Sequence, residues 1–136
     1  MDGESDGMGA PAMVVMRIAA GVLLLAHGLV HLLYLAPDVS EFSTQRSWLV
    51  PKAARQPVAL ALITGTIAAS TALAVAVWGV AGLAAAWPAF AVFAGALSLV
   101  LLVAYWDTQL IMGVAIDGTL ITLAVVQPAW LRDFMT

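Results

Sequence analysis

The sequence predicts an all-α integral membrane protein, a four-helix bundle with both termini on the same side of the bilayer. Three observations point there. Hydrophobic residues make up 63% of the 136-residue chain and charged residues 10%, with a mean hydropathy of +1.03. Soluble domains lie nearer half apolar and a quarter charged, and so few charges do not cover a water-exposed surface. Four apolar stretches, each near the ~20 residues a spanning helix needs, are separated by Pro, Gly and polar residues. All five tryptophans (Trp48, Trp78, Trp87, Trp106, Trp130) and both tyrosines fall at the ends of these stretches or in a loop. Amphipathic rings concentrate at that depth of a membrane.

Residues 1–11 are acidic and Gly-rich, and bury too little apolar area to order themselves, so a disordered tail is expected. They lack the positive start of a signal peptide. Residues 12–136 form the four-helix domain. Its first span is predicted over 12–36 and stopped by Pro37. The interfacial loop 37–57 follows. Asp38 and Glu41 have the spacing of a capping box, which predicts a short surface helix over 39–49 with Phe42 and Trp48 dipping into the interface. The second span, 58–79, opens after Pro57 and carries small residues at helical spacing (Ala61, Gly65, Ala69, Ala72), the pattern that lets helices approach closely in lipid. Gly79 and Gly82 bracket a tight turn. The third span, 87–106, has Pro88 in its first turn and Gly95 and Ser98 on its packing face. Asp107 is placed to cap the fourth span, 108–127, and the chain then returns to the interface.

Charge and composition exclude several classes. The net charge of -3 and the lack of a basic patch argue against a nucleic-acid partner. No cysteine is present, which excludes disulfides and thiol chemistry. No Ser or Thr has a base at nucleophile spacing, and no phosphate-binding glycine loop follows a strand. The loop after the first span carries Arg46, Lys52 and Arg55 against Arg17 and Arg132 on the terminal side. The positive-inside bias therefore favours that loop in the cytoplasm.

The first span holds both histidines. His27 and His31 lie one turn apart, and the heptad Arg17, Gly21, Leu24, Gly28, His31 runs down the same side, a stripe that lipid would not tolerate. Imidazoles at this spacing can share a transition metal if a second helix completes the shell; they do not form the usual axial haem pair, which needs opposite sides of the iron. Asp117 falls near the middle of the fourth span, where a carboxylate costs about 2.5–3.5 kcal/mol on insertion scales and needs compensation. Counting ~1.5 Å per residue from the loop end, His31 lies roughly 8 Å deep, His27 about 14 Å and Asp117 about 15 Å. His27 is therefore expected to meet Asp117 if the first and fourth helices pack together, with Gly28 and Gly113 permitting the approach, and His31 to meet Gln109. Arg17 is the rival partner for Asp117, or else snorkels to the interface. The polar-interior or ligand candidates are thus His27, His31, Asp117, Arg17 and Gln109. They leave open a structural hydrogen bond, a ligand, proton or quinone site, and a metal or haem site.

Four short helices, with Arg17, Gly21 and then His27-Gly28-Leu29-Val30-His31-Leu32 in the first, resemble the small DoxX-like membrane proteins of prokaryotes. The resemblance covers the architecture, residues 17–34 and the region from Trp106-Asp107 to Asp117-Gly118. It implies a multi-pass protein of the prokaryotic cytoplasmic membrane and, because some relatives are linked to quinone-coupled redox complexes, a membrane subunit or redox partner. The expected function is a non-catalytic subunit or accessory protein of a membrane complex, without catalytic activity of its own, acting as a homo-oligomer or within a larger assembly. A quinone- or haem-linked redox component and a small proton-linked transporter working as an oligomer are the alternatives. No cofactor is required by the sequence.

Overall fold

The computed structural model describes residues 9–136, and among these every regular element is helical. Four long helices, α1 (Gly9–Val30), α2 (Arg55–Val77), α3 (Trp87–Ala104) and α4 (Ile111–Val126), are followed by a short α5 (Ala129–Met135). With their 3-10 extensions, all four long helices are long and apolar enough to cross a membrane. Residues 1–8 of the expected tail lie outside the described residues. Gly9 to Pro11, expected in that tail, instead form the first turn of α1, where the missing N–H of Pro11 leaves no bond unmade.

The helix ends follow from local chemistry. The chain after α1 tightens into a 3-10 turn, His31–Leu35, before Pro37. The loop that follows forms turns rather than the expected surface helix over 39–49, so the Asp38–Glu41 pair has no helix to cap. Side chains hold this loop instead. Ser47 Oγ and Trp48 Nε1 donate to the carbonyls of Ala104 and Val103, each at 2.6 Å, satisfying orphan acceptors at the end of α3. Arg55 donates to the carbonyls of Gln45, Ser47 and Val50, and Tyr105 donates to the carbonyl of Arg55. Gly79 and Gly82 turn the chain between α2 and α3 with φ of 82° and 85°. Asp107 accepts from the backbone N–H of Gln109 at 3.1 Å, the expected cap, at the head of a 3-10 turn (Thr108–Leu110) that leads into α4. Gln127 closes α4 in the left-handed region at φ 44°, because the following Pro128 disfavours a further helical residue.

Consecutive helices pack on one another: α1 on α2, α2 on α3, and α3 on α4. Small side chains set these approaches, though not always those the sequence suggests. Gly28 faces Ser70 of α2, Gly95 faces Ile121 of α4, and Gly113 faces Leu102 of α3. Neither Gly28 nor Gly113 therefore joins α1 to α4, contrary to the expectation. On α2 the buried stripe is Ala59, Ile63, Thr66, Ser70, Leu73 and Val77, while Ala61 is exposed and Gly65, Ala69 and Ala72 lie on the flank. A helix of small and apolar residues carries several such stripes, and neighbours on two sides choose among them.

Two apolar clusters fill the ends of the bundle. One gathers Tyr34, Ile63, Leu101 and Tyr105; the other gathers Leu73, Ala91, Ala124 and Leu131. The hydroxyls of Thr66 and Tyr34 are buried without a hydrogen-bond partner among the described residues. An orphaned hydroxyl is a liability, so Thr66→Val, which keeps the branch and removes the polar atom, is expected to raise stability by up to about 1 kcal/mol. Thermal unfolding in detergent measures this; a clear loss would reveal that an ordered water satisfies the hydroxyl.

Candidate functional site

The polar interior lies between the two clusters and is assembled from three helices. α1 supplies His27, the 3-10 turn that continues it supplies His31, α3 supplies Ser98, and α4 supplies Asp117. Asp117 and Ser98 are fully buried and His31 almost so; the His27 side chain keeps 14% of its surface exposed. Asp117 Oδ1 lies 2.8 Å from His27 Nε2, the contact that matching depths led one to expect. Its other oxygen, Oδ2, accepts from or shares a proton with Ser98 Oγ at 2.5 Å. Ser98 Oγ in turn lies 2.9 Å from His31 Nε2.

The protons in this chain can be counted. His31 Nδ1 lies 3.1 Å from the carbonyl oxygen of His27 and 3.2 Å from that of Gly28. Carbonyls only accept, so Nδ1 carries a proton. Two hydrogen bonds meet at the Ser98 hydroxyl, and its single proton makes one of them. The other requires a proton on His31 Nε2 or on Asp117 Oδ2. Asp117 and His31 therefore share one proton, as neutral acid and neutral imidazole or as carboxylate and imidazolium. Both forms have no net charge, as a dry interior requires. Rotation of the Ser98 hydroxyl goes with passage of the proton from one helix to the other. In either form Asp117 Oδ1 accepts, so His27 donates through Nε2.

The remaining expected residues go elsewhere. Gln109 does not reach His31; it is exposed, and its Nε2 lies 3.5 Å from Glu41 Oε1. The reason is that the His31 imidazole, just past the end of α1, turns toward Ser98 of α3 and binds the last-turn carbonyls of α1. Arg17 does not approach Asp117. Its Nε and Nη2 donate to the carbonyl of Phe134 at 2.9 and 2.6 Å, and its guanidinium lies 5.8 Å from the Phe134 ring. It thus caps the carbonyl end of α5, where a cation is favoured. Ser98 was legible in the sequence only as a packing residue; its bridging role depends on a rotation of α3 that periodicity in an all-apolar helix leaves undetermined.

The two imidazoles stand edge to face with centroids 5.6 Å apart, and each Nε2 is engaged by a different partner. They do not converge on one point as a chelating pair would, and no group of three His, Cys, Asp or Glu side chains suited to a metal occurs among the described residues. No family model, curated protein or solved structure matches the chain.

Proposed function

We propose that this chain is an integral protein of the prokaryotic cytoplasmic membrane, of the small DoxX-like kind, and a non-catalytic subunit or accessory protein of a membrane complex. The observation that carries this reading is the use of the polar interior. His31, Ser98 and Asp117 direct their hydrogen bonds at one another, at His27 and at the backbone, and so hold α1, α3 and α4 together. Groups occupied in this way fix a structure rather than attack a substrate. The outer face of α1, with Val14, Val15, Ile18 and Val22 exposed, offers an apolar surface to lipid, to a second copy or to a partner helix.

Purification of the tagged full chain in mild detergent, with mass spectrometry of what accompanies it, tests the reading. A partner or second copy at fixed stoichiometry is expected; a monomer free of partners in every mild detergent would count against it. Both termini lie on one side of the membrane in this reading, supported by the bond from Arg17 to Phe134, with the basic loop in the cytoplasm. The absence of native cysteine makes single-cysteine labelling clean. An impermeant maleimide on intact cells is expected to label Thr136→Cys and spare Ser43→Cys, and the reverse pattern would invert the orientation.

A further inference from the structure

α1 and α4 touch through side chains but do not pack backbone to backbone, which leaves a cleft between them. A cavity of about 510 Å³ is lined by His27, Ala115, Ile116 and Thr119 together with Leu23, Leu24, Leu120 and Leu123. The same four leucines line a second, larger cavity of about 600 Å³ that runs on toward Met16, Trp130 and Phe134. The two form one apolar groove, with His27 at its inner end. On the other side His27 also borders a cavity reaching Gln109 and Gly113.

The chemistry of the groove is set by which polar atoms remain free. His27 Nε2 is committed as donor to Asp117, so the neutral ring presents Nδ1 as an acceptor, and Nδ1 has no hydrogen-bond partner among the described residues. The Thr119 hydroxyl donates to its own Ala115 carbonyl at 2.8 Å and so has no proton to offer. At the His27 end of the groove a molecule finds apolar walls, an acceptor, and no free donor; the indoles of Trp87 and Trp130 lie at the far end, against the tail. From Met16 to His27 the helix rises roughly 16 Å, the length of a tail of about a dozen carbons.

We propose that the α1–α4 cleft is a binding site, entered from the bilayer, for a lipophilic molecule with a hydroxyl head that donates to His27 Nδ1 and a linear apolar tail that lies along Leu24, Leu120 and Leu123. A carbonyl or ether head, which only accepts, gains nothing there. The proposal rests on the membrane reading above and adds a ligand class to it.

The test uses the full chain in mild detergent and two probes of equal chain length, a long-chain primary alcohol carrying a mid-chain diazirine and its methyl ether. Photolabelling of peptides from the cleft is expected to be half-maximal at a concentration roughly fivefold lower for the alcohol, the scale of one hydrogen bond. Leu120→Trp, which fills the groove and leaves the His27–Asp117 contact alone, is expected to abolish labelling without lowering thermal stability. His27→Phe is expected to remove the preference for the alcohol. Equal labelling by alcohol and ether in the parent chain would overturn the proposal and leave a groove filled by any acyl chain. Labelling unchanged by Leu120→Trp would overturn it too. Carbonate extraction in parallel distinguishes the two readings: a chain released from the membrane would sink both, whereas a retained chain with no head-group preference would sink the site alone.

Discussion

Asp117→Leu is expected to destabilise the bundle by about 2–3 kcal/mol, and Asp117→Asn to change its stability by less than about 0.5 kcal/mol. The first figure follows from two broken contacts, to His27 at 2.8 Å and to Ser98 at 2.5 Å, at about 1–2 kcal/mol for each intramembrane hydrogen bond. Leucine also leaves the His27 Nε2–H facing an apolar wall, and an unpaired buried donor carries a penalty of its own.

The second figure follows from the proton count. In the neutral arrangement Asp117 Oδ1 accepts from His27 and the protonated Oδ2 donates to Ser98, whose hydroxyl then donates to His31 Nε2. Asparagine reproduces this with its carbonyl toward His27 and its NH₂ toward Ser98. Every bond survives, with no charge and no transferable proton. Unfolding of both variants in detergent, by heat or denaturant, measures the difference. If asparagine proved as damaging as leucine, the negative charge rather than the hydrogen-bond pattern would be holding α4, and the neutral arrangement would be wrong.

Much of this fold was legible before any coordinate. The four long apolar helices and their ends could be read because prolines, glycines and tryptophans punctuate an otherwise apolar chain, and those residues act locally. The His27–Asp117 contact could be read because both depths follow from counting residues at a fixed rise, and neither group tolerates lipid. What could not be read is the azimuth of each helix. α3 is apolar on all sides but for Ser98, and α2 carries its Thr and Ser residues on both buried and exposed faces, so their sequences do not say which stripe faces which neighbour. Ser98 therefore reads as a small packing residue, and the small stripe through Ala61 gives no sign that the buried one runs through Thr66 and Ser70. His31 turned from Gln109 to Ser98 for the same reason. The loop 37–57 misled differently. A capping-box spacing at Asp38 and Glu41 is a local preference, overridden by the tertiary bonds from Ser47, Trp48 and Arg55 to backbone carbonyls.

Gly28→Leu is expected to destabilise the bundle by about 3 kcal/mol, because residue 28 stands where α1 passes close against Ser70 of α2 beside the site. A Cβ on residue 28 would lie 2.6 Å from the Cβ of Ser70 and 2.9 Å from its Oγ, distances that nonbonded atoms do not tolerate. Overpacking of this kind typically costs 1–3 kcal/mol. Here relief requires α1 to move off α2, which draws His27 away from Asp117 and His31 away from Ser98. Gly28→Ala carries the same clash with a smaller side chain, partly offset by the better helix propensity of alanine, about 1 kcal/mol. Two other glycines serve as controls. At Gly118 an added Cβ meets nothing within 4 Å, so Gly118→Ala is expected to be neutral or stabilising. At Gly113 the nearest atom is the Cδ1 methyl of Leu102, the end of a flexible side chain, so Gly113→Ala is expected to be tolerated. Ser70→Gly removes the opposing Cβ and is expected to restore Gly28→Ala, with a favourable coupling of about 1–2 kcal/mol in the double-mutant cycle. If Gly28→Ala were as benign as Gly118→Ala, or if Ser70→Gly failed to rescue it, the close approach of α1 to α2 would not be what places His27 and His31 in the interior.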